Sequence, residues 1–205
     1  MGSPLIEKQG IDLIAIDSKT ALSLIASHVS ALANSQGGTL IFGLKPNGKI
    51  IGVFLDEVKE IWNRLLQEFT SQPFDHSTSS FIEKNSYLFR VDIHSSQKRI
   101  QAKSDSGEWK TYIRLNNQTL LSNKITEKAH QYSLRSESLA FDLDKIEQVK
   151  GMFVNMEQGL SLSQCYKKCQ NIVKPKELDK LLAYMVSEKS IYPISVGQQI
   201  YFKLS

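Results

Sequence analysis

ALANSQGGTLIFGLKPNGKIIGV, residues 31–53, sets a helix end, a glycine pair, an apolar strand, a turn and a β-branched run in immediate succession. Upstream, Leu22, Ile25, Val29, Leu32 and Ala33 recur at three- and four-residue steps. That spacing predicts an amphipathic helix over Ser18–Asn34, with Asp17 or Ser18 as its N-cap. Gly37-Gly38 is the residue type that closes a helix in the left-handed conformation at least cost. Thr39–Leu44 then reads as a buried strand, Pro46-Asn47-Gly48 as a turn and Lys49–Phe54 as the return strand. Val58, Ile61, Trp62, Leu65, Leu66 and Phe69 predict a second helix over Asp56–Phe69.

The same stretch contains a false lead. Gly43–Lys49 matches the opening of the phosphate-binding pattern G-x-x-x-x-G-K-[ST], which must lead into a helix whose N-terminal amides hold the phosphates. Ile50 stands where the magnesium-binding hydroxyl belongs, and Ile50-Ile51-Gly52-Val53 favours strand over helix. Both departures argue against nucleotide hydrolysis. They leave Lys45 and Lys49 at a turn tip, where they can meet a phosphate backbone.

Beyond Pro73 the apolar period drops to two, and Ser79–Glu83, Tyr87–His94, Arg99–Lys103 and Lys110–Leu115 read as strands, with Leu120–Leu134 a turn and helix. Residues 5–135 therefore form one module, a mixed sheet with helices. Arg135–Ala140 is the expected junction. After it come helices at Asp142–Met156, closed by Gly159, Leu162–Gln170 and Pro175–Glu188, then a hairpin of Ile191–Val196 and Gln199–Leu204 around Gly197-Gln198. Three helices followed by a two-stranded ribbon predict a winged helix-turn-helix over residues 141–205. The fold class is α+β, a larger sheet-and-helix module followed by a smaller winged-helix-like one.

Composition sets the outer bounds. The 205 residues are 41% hydrophobic and 22% charged, enough for a packed core. No apolar run reaches the roughly 18 residues of a membrane span, and the segment after Met1 is short, mixed and soon charged, so the expected location is the cytoplasm. The net charge of +4 permits an anionic partner without demanding one. The bias is greatest in Gln97–Arg114, where Lys98, Arg99, Lys103, Lys110 and Arg114 face only Asp105 and Glu108. Cys165 and Cys169 share a helix face without disulfide geometry, and no histidine lies near them in sequence, so they read as reduced packing residues. No Ser-His-Asp or Cys-His constellation stands out, and His28 reads as a packed or surface residue.

Ser30–Leu44 followed by Asn47–Val53 resembles the core of the Schlafen-type, Alba-like DNA-binding domain, worded "S-A-x-A-N-T-x-G-G-T-L-x-x-G-V" and then "D-G-x-I-x-G-V". Tyr112-Ile113-Arg114-Leu115-Asn116-Asn117-Gln118-Thr119 is similar to that family's "Y-I-R-x-G-S-x-T". The resemblance covers residues 5–135 and implies nucleic-acid binding. Bacterial members often carry a C-terminal winged helix. Members usually open with a Glu-Phe-Lys-like element, where this chain has Ile14–Lys19 without a glutamate. RNA-cleaving relatives use acidic residues of that region to hold a metal, and here only Asp12 and Asp17 are at hand.

The candidate nucleic-acid contacts are Asn34, Lys45, Lys49, Lys98, Arg99, Lys103, Lys110 and Arg114 in the first module, with Lys174, Lys176 and Lys180 on the third tail helix. Lys167 and Lys168 lie on the preceding helix, and Gln198, Gln199 and Lys203 on the ribbon. Asn34 has a second reading as a backbone-bonding residue at the helix end. Arg114 has one as a cross-sheet ion pair, and Trp109 and Tyr112, candidate stacking platforms for bases, have one as core. The expectation is a non-catalytic DNA-binding regulator with no cofactor and no metal, able to homodimerise. The alternatives are a divergent metal-dependent endoribonuclease using Asp12 and Asp17, and a protein-interaction module.

Overall fold

The computed structural model describes residues 13–17, 19–133 and 141–205. Asp12, the N-cap candidate Ser18 and the expected junction Arg135–Ala140 lie outside the described residues. Among those described, six helices and ten strands form an α+β protein that divides into two compact units between Leu121 and Ser122.

The first unit runs β1 (Leu13–Ile16), α1 (Leu22–Ala33), β2 (Gly38–Phe42), α2 (Leu55–Glu68), β3 (His76–Glu83), β4 (Ser86–Ile93), β5 (Gln101–Lys103), β6 (Trp109–Leu115) and β7 (Gln118–Leu121). A four-stranded mixed sheet has the order β1-β2-β4-β3, with β1 parallel to β2 and the other pairs antiparallel. A second sheet has the order β5-β6-β7. β2 is apolar and buried from Leu40 to Phe42 because both its faces are covered there. Leu40 and Phe42 join Ile25, Val29 and Leu32 of α1 and Trp62 and Leu65 of α2 in the main core, while Ile41 packs with Leu44 and Leu88 on the other face.

Two local readings needed correction. α1 begins at Leu22 with Ala21 as N-cap and no side-chain cap, so Asp17 does not serve there; its carboxylate accepts the Lys19 N–H instead (3.2 Å). The return strand over Lys49–Phe54 shrinks to one bridge, Leu44↔Ile50. The turn itself forms, Gly48 N–H donating to the Lys45 carbonyl at 2.8 Å. Gly43 (φ +89°) and Gly52 (φ +73°) then bend the chain so that the Ile51 and Gly52 N–H groups both donate to the Gly43 carbonyl, and Val53 N–H turns to the Tyr87 carbonyl. Periodicity also passed over β1 and β7, each of four residues.

The second unit holds α3 (Lys124–Ser133), α4 (Leu143–Gly151), β8 (Leu160–Ser161), α5 (Leu162–Cys169), α6 (Pro175–Ser187), β9 (Ile191–Val196) and β10 (Gln199–Leu204). Its antiparallel sheet has the order β8-β10-β9. α4 stops at Gly151, short of the expected Met156. A Ser161–Gln164 capping box starts α5, and Pro175 opens α6. Val149, Phe153, Leu160, Leu178, Leu181, Leu182, Met185 and Phe202 are buried, as are the free cysteines Cys165 and Cys169. α3 is tied into this unit by Lys124, whose Nζ lies 2.9 Å from the Asp179 carboxylate on α6.

Candidate nucleic-acid interface

β5 pairs with β6 only as far as Gln101↔Thr111, so the β6 backbone from Tyr112 onward has no strand on that side. α1 takes the strand's place. Ser30 Oγ accepts the Tyr112 N–H at 3.0 Å, and Ser35 Oγ accepts the Arg114 N–H at 2.9 Å. Asn34 bridges the gap. Its Nδ2 donates to the carbonyls of Ile100 (2.7 Å) and Tyr112 (3.0 Å), and its Oδ1 accepts the Ile100 N–H (2.9 Å). The amide thus acts like an inserted peptide unit between two splayed strands. The Asn34 amide is engaged with the protein backbone, which is the second of its two readings.

The first-module cations fall into two places. β2 runs from Gly38, opposite Ile93, to Phe42, opposite Phe89. Lys45 and Lys49 follow the Phe42 end, whereas the loop bearing Lys98 and Arg99 follows the Ile93 end. That loop wraps the C-terminal end of α1, with Ser96 N–H on the Ala33 carbonyl (2.7 Å) and Ser95 Oγ on the Ser35 carbonyl (2.6 Å). Arg114 joins the same neighbourhood through Ser35, and cations are favoured near a helix C-terminus. Lys103 continues the group along β5, directly opposite the half-exposed Trp109 on β6, so that a cation and an indole share one face. Lys110 is engaged by Glu108 at 2.9 Å. Trp109 and Lys103 lie close in sequence, but only their register reveals that they stand side by side.

At the other end of β2 a cleft of about 670 Å³ opens between the start of α1, the start of α2 and the β3–β4 turn. Asp17, Thr20, Phe42, Glu57 and Tyr87 are among its walls. Asp17 lies 3.8 Å from Lys45 Nζ, so the carboxylate singled out for a nuclease faces a lysine ammonium. Among the described residues no group of three or more His, Cys, Asp or Glu side chains is arranged to hold a metal.

Lys174, the N-cap of α6, and Lys176 and Lys180 on the helix are exposed. The acids that dilute their charge in the sequence are turned aside: Glu177 pairs with Lys145 at 2.7 Å, and Asp179 with Lys124 and the Tyr166 hydroxyl. Those partners of Glu177 and Asp179 include Lys145 and Lys124, 32 and 55 positions away in the chain, which is why the helix looks weaker as a cationic surface in the sequence than in the structure.

His28 Nδ1 shares the Thr119 hydroxyl (2.8 Å) with the Arg114 guanidinium (3.3 Å). Burial, and secondarily the Arg114 charge, push its pKa down to about 4. The unfolded chain takes up this proton near pH 6.5 and the folded chain only near 4. His28 therefore costs no stability above pH 6.5 and progressively more as pH falls to 4, up to about 3 kcal/mol. Thermal melts across that window should show a decline in Tm that His28→Gln flattens; parallel declines in both proteins would refute the assignment.

A protein-family model described as Schlafen, AlbA_2 matches residues 7–123. No curated protein matches the chain. Among solved structures it is similar to the DIP2311 protein from Corynebacterium diphtheriae, at 11% identity and a TM-score of 0.48, with 95% of this chain and 34% of that one covered. The chain thus spans about a third of that protein's length.

Proposed function

The chain belongs to the Schlafen, AlbA_2 family, and from that premise we propose that it is a non-catalytic nucleic-acid-binding protein, a regulator acting on double-stranded DNA. The observation that carries the reading is the basic segment folded around the end of α1. The Lys98–Arg99 loop is held to the end of α1 by Ser95 and Ser96, Arg114 is tied there through Ser35, and Lys103 stands beside Trp109 on the β5–β6 pair. The matched region ends close to the first unit's last residue, so the family's part is this unit.

We read the second unit as a winged helix. Its element order, with α6 packed before the β9–β10 hairpin, supports that assignment, as does the clearing of Glu177 and Asp179 from the lysine face. In this reading the first unit supplies phosphate contacts and α6 enters the major groove.

Phosphate contacts make affinity fall with salt. About 4 to 6 of them predict a log–log slope of roughly −4 to −5 for duplex DNA. Arg99→Ala and Lys103→Ala should each weaken all sequences alike and reduce the slope by about one. Lys49→Ala, at the far end of β2, should leave it unchanged. Fluorescence anisotropy across a salt series decides: no binding even at about 50 mM salt, or a slope near zero, sinks the reading.

A further inference from the structure

β3 is an end strand of the four-stranded sheet, and among the described residues nothing pairs with its outer edge. Proteins usually blunt such an edge with charge, proline or brevity. β1, at the opposite end, is short, with four residues. β3 has eight, His76-Ser77-Thr78-Ser79-Ser80-Phe81-Ile82-Glu83, with no proline and no Asp, Glu, Lys or Arg before Glu83. Ser77, Thr78, Ser79 and Ser80 are exposed, and Ile82 is 61% exposed.

The backbone fixes which groups point outward. Lys84 and Asn85, both at positive φ, form a two-residue turn, so Glu83 and Ser86 exchange hydrogen bonds. Alternation then turns Ser77, Ser79 and Phe81 toward β4. Two further bonds agree: His94 N–H donates to the Asp75 carbonyl on the β3 side, and Tyr87 accepts from Val53 on the opposite side. The N–H and C=O groups of His76, Thr78, Ser80 and Ile82 therefore face away from the sheet.

We propose that this edge pairs with the same edge of a second copy, antiparallel, about a two-fold axis at Ser79, joining two four-stranded sheets into one. Two β3 edges can share one sheet surface only when paired residues lie on the same face. The register centred on Ser79 meets that condition and uses every outward group: Thr78 opposite the partner's Ser80, and His76 opposite the partner's Ile82, each twice, for about eight hydrogen bonds. It also accounts for the exposed isoleucine, because His76 stacks with Trp62 and Phe74, and Ile82 from the other copy lands beside that ring cluster. At each end Glu83 faces the partner's Asp75, a like-charge pair that Asp75→Asn relieves, tightening self-association about 2- to 5-fold.

Sedimentation equilibrium should give twice the 23.2 kDa chain mass at tens of micromolar protein. Ser80→Pro removes one outward N–H, a change an edge strand tolerates, and should yield a monomer with unaltered circular dichroism and a Tm that no longer rises with protein concentration. In a non-hydrogen-bonded pair on the axis, Cα atoms sit about 4.5 Å apart, within disulfide reach. Mild oxidation of Ser79→Cys should therefore produce a covalent dimer. Ser77→Cys should not, because its symmetry mate stands about 14 Å away along the strands. Cys165 and Cys169 are buried and give little background. A monomeric parent chain, a Ser80→Pro protein that remains dimeric, or cross-linking through position 77 rather than 79 would each overturn the proposal.

Discussion

Replacing Asn34 by Ala is expected to cost about 4 kcal/mol of stability, from the buried polar groups it would abandon. The Ile100 N–H and the Tyr112 carbonyl each lose the Asn34 bond, and the Ile100 carbonyl keeps only its bond from Ser30 (2.8 Å). Ile100 is fully buried, so water does not replace what is lost. Each unsatisfied group costs about 1–3 kcal/mol, and three are affected, one of them partly. The more telling variant is Asn34→Asp, which is nearly isosteric. It sets a carboxylate oxygen where the donor had been, against two carbonyl oxygens at 2.7 and 3.0 Å, and should destabilise at least as much as the alanine. Urea unfolding of both variants checks this. A smaller loss for Asn34→Asp than for Asn34→Ala would show that the amide donors are not what holds the two strands. A large loss of stability with nucleic-acid affinity per folded molecule unchanged is the pairing that the proposed function expects, since the Asn34 amide bonds the protein backbone.

Asn34 also marks where sequence reading stops. Its type and place, at the end of a periodic helix before two glycines, were readable, and the helix, the glycine stop and β2 follow from local pattern. Its partners lie 66 and 78 positions away, and nothing local announces that β5 begins one residue too late to pair with Tyr112. The return strand failed for a related reason. Ile50-Ile51-Gly52-Val53 has strand composition, but Gly43 and Gly52 approach so closely that a Cβ on Gly43 would lie 2.9 Å from the Gly52 carbonyl carbon, and the chain leaves for β4 after one bridge. The α+β class and the Schlafen, AlbA_2 membership were legible because they rest on contiguous motifs. The separation of Lys45 and Lys49 from Lys98 and Arg99 was not, because it depends on which end of β2 each loop leaves. The same holds for α6, whose acids are neutralised by lysines of other helices.

Gly37→Ala should destabilise the first unit by about 4 kcal/mol, well beyond the roughly 1–2 kcal/mol that its conformation alone requires. Gly37 sits at φ +84°, where its N–H donates to the Leu32 carbonyl at 3.0 Å and closes α1. The left-handed backbone accounts for the smaller part of the loss, and the remainder is contact. A Cβ would lie 2.5 Å from the Ile93 carbonyl oxygen and 3.2 Å from the Ser95 nitrogen, both backbone atoms that cannot rotate away. Relief has to come from shifting the end of β4, and with it the Gly38↔Ile93 pairing and the Ser95–Ser96 contacts that fold the basic loop onto α1. Gly197→Ala is the matched control: φ is +61°, yet nothing lies within 4 Å of the added carbon, so only the strain of about 1–2 kcal/mol is expected. Denaturant midpoints for the two variants separate conformation from contact. Equal losses would mean that β4 yields without cost; a Gly37 loss several-fold larger is what the close approach demands, and the proposed function adds weaker nucleic-acid binding through the displaced Lys98–Arg99 loop.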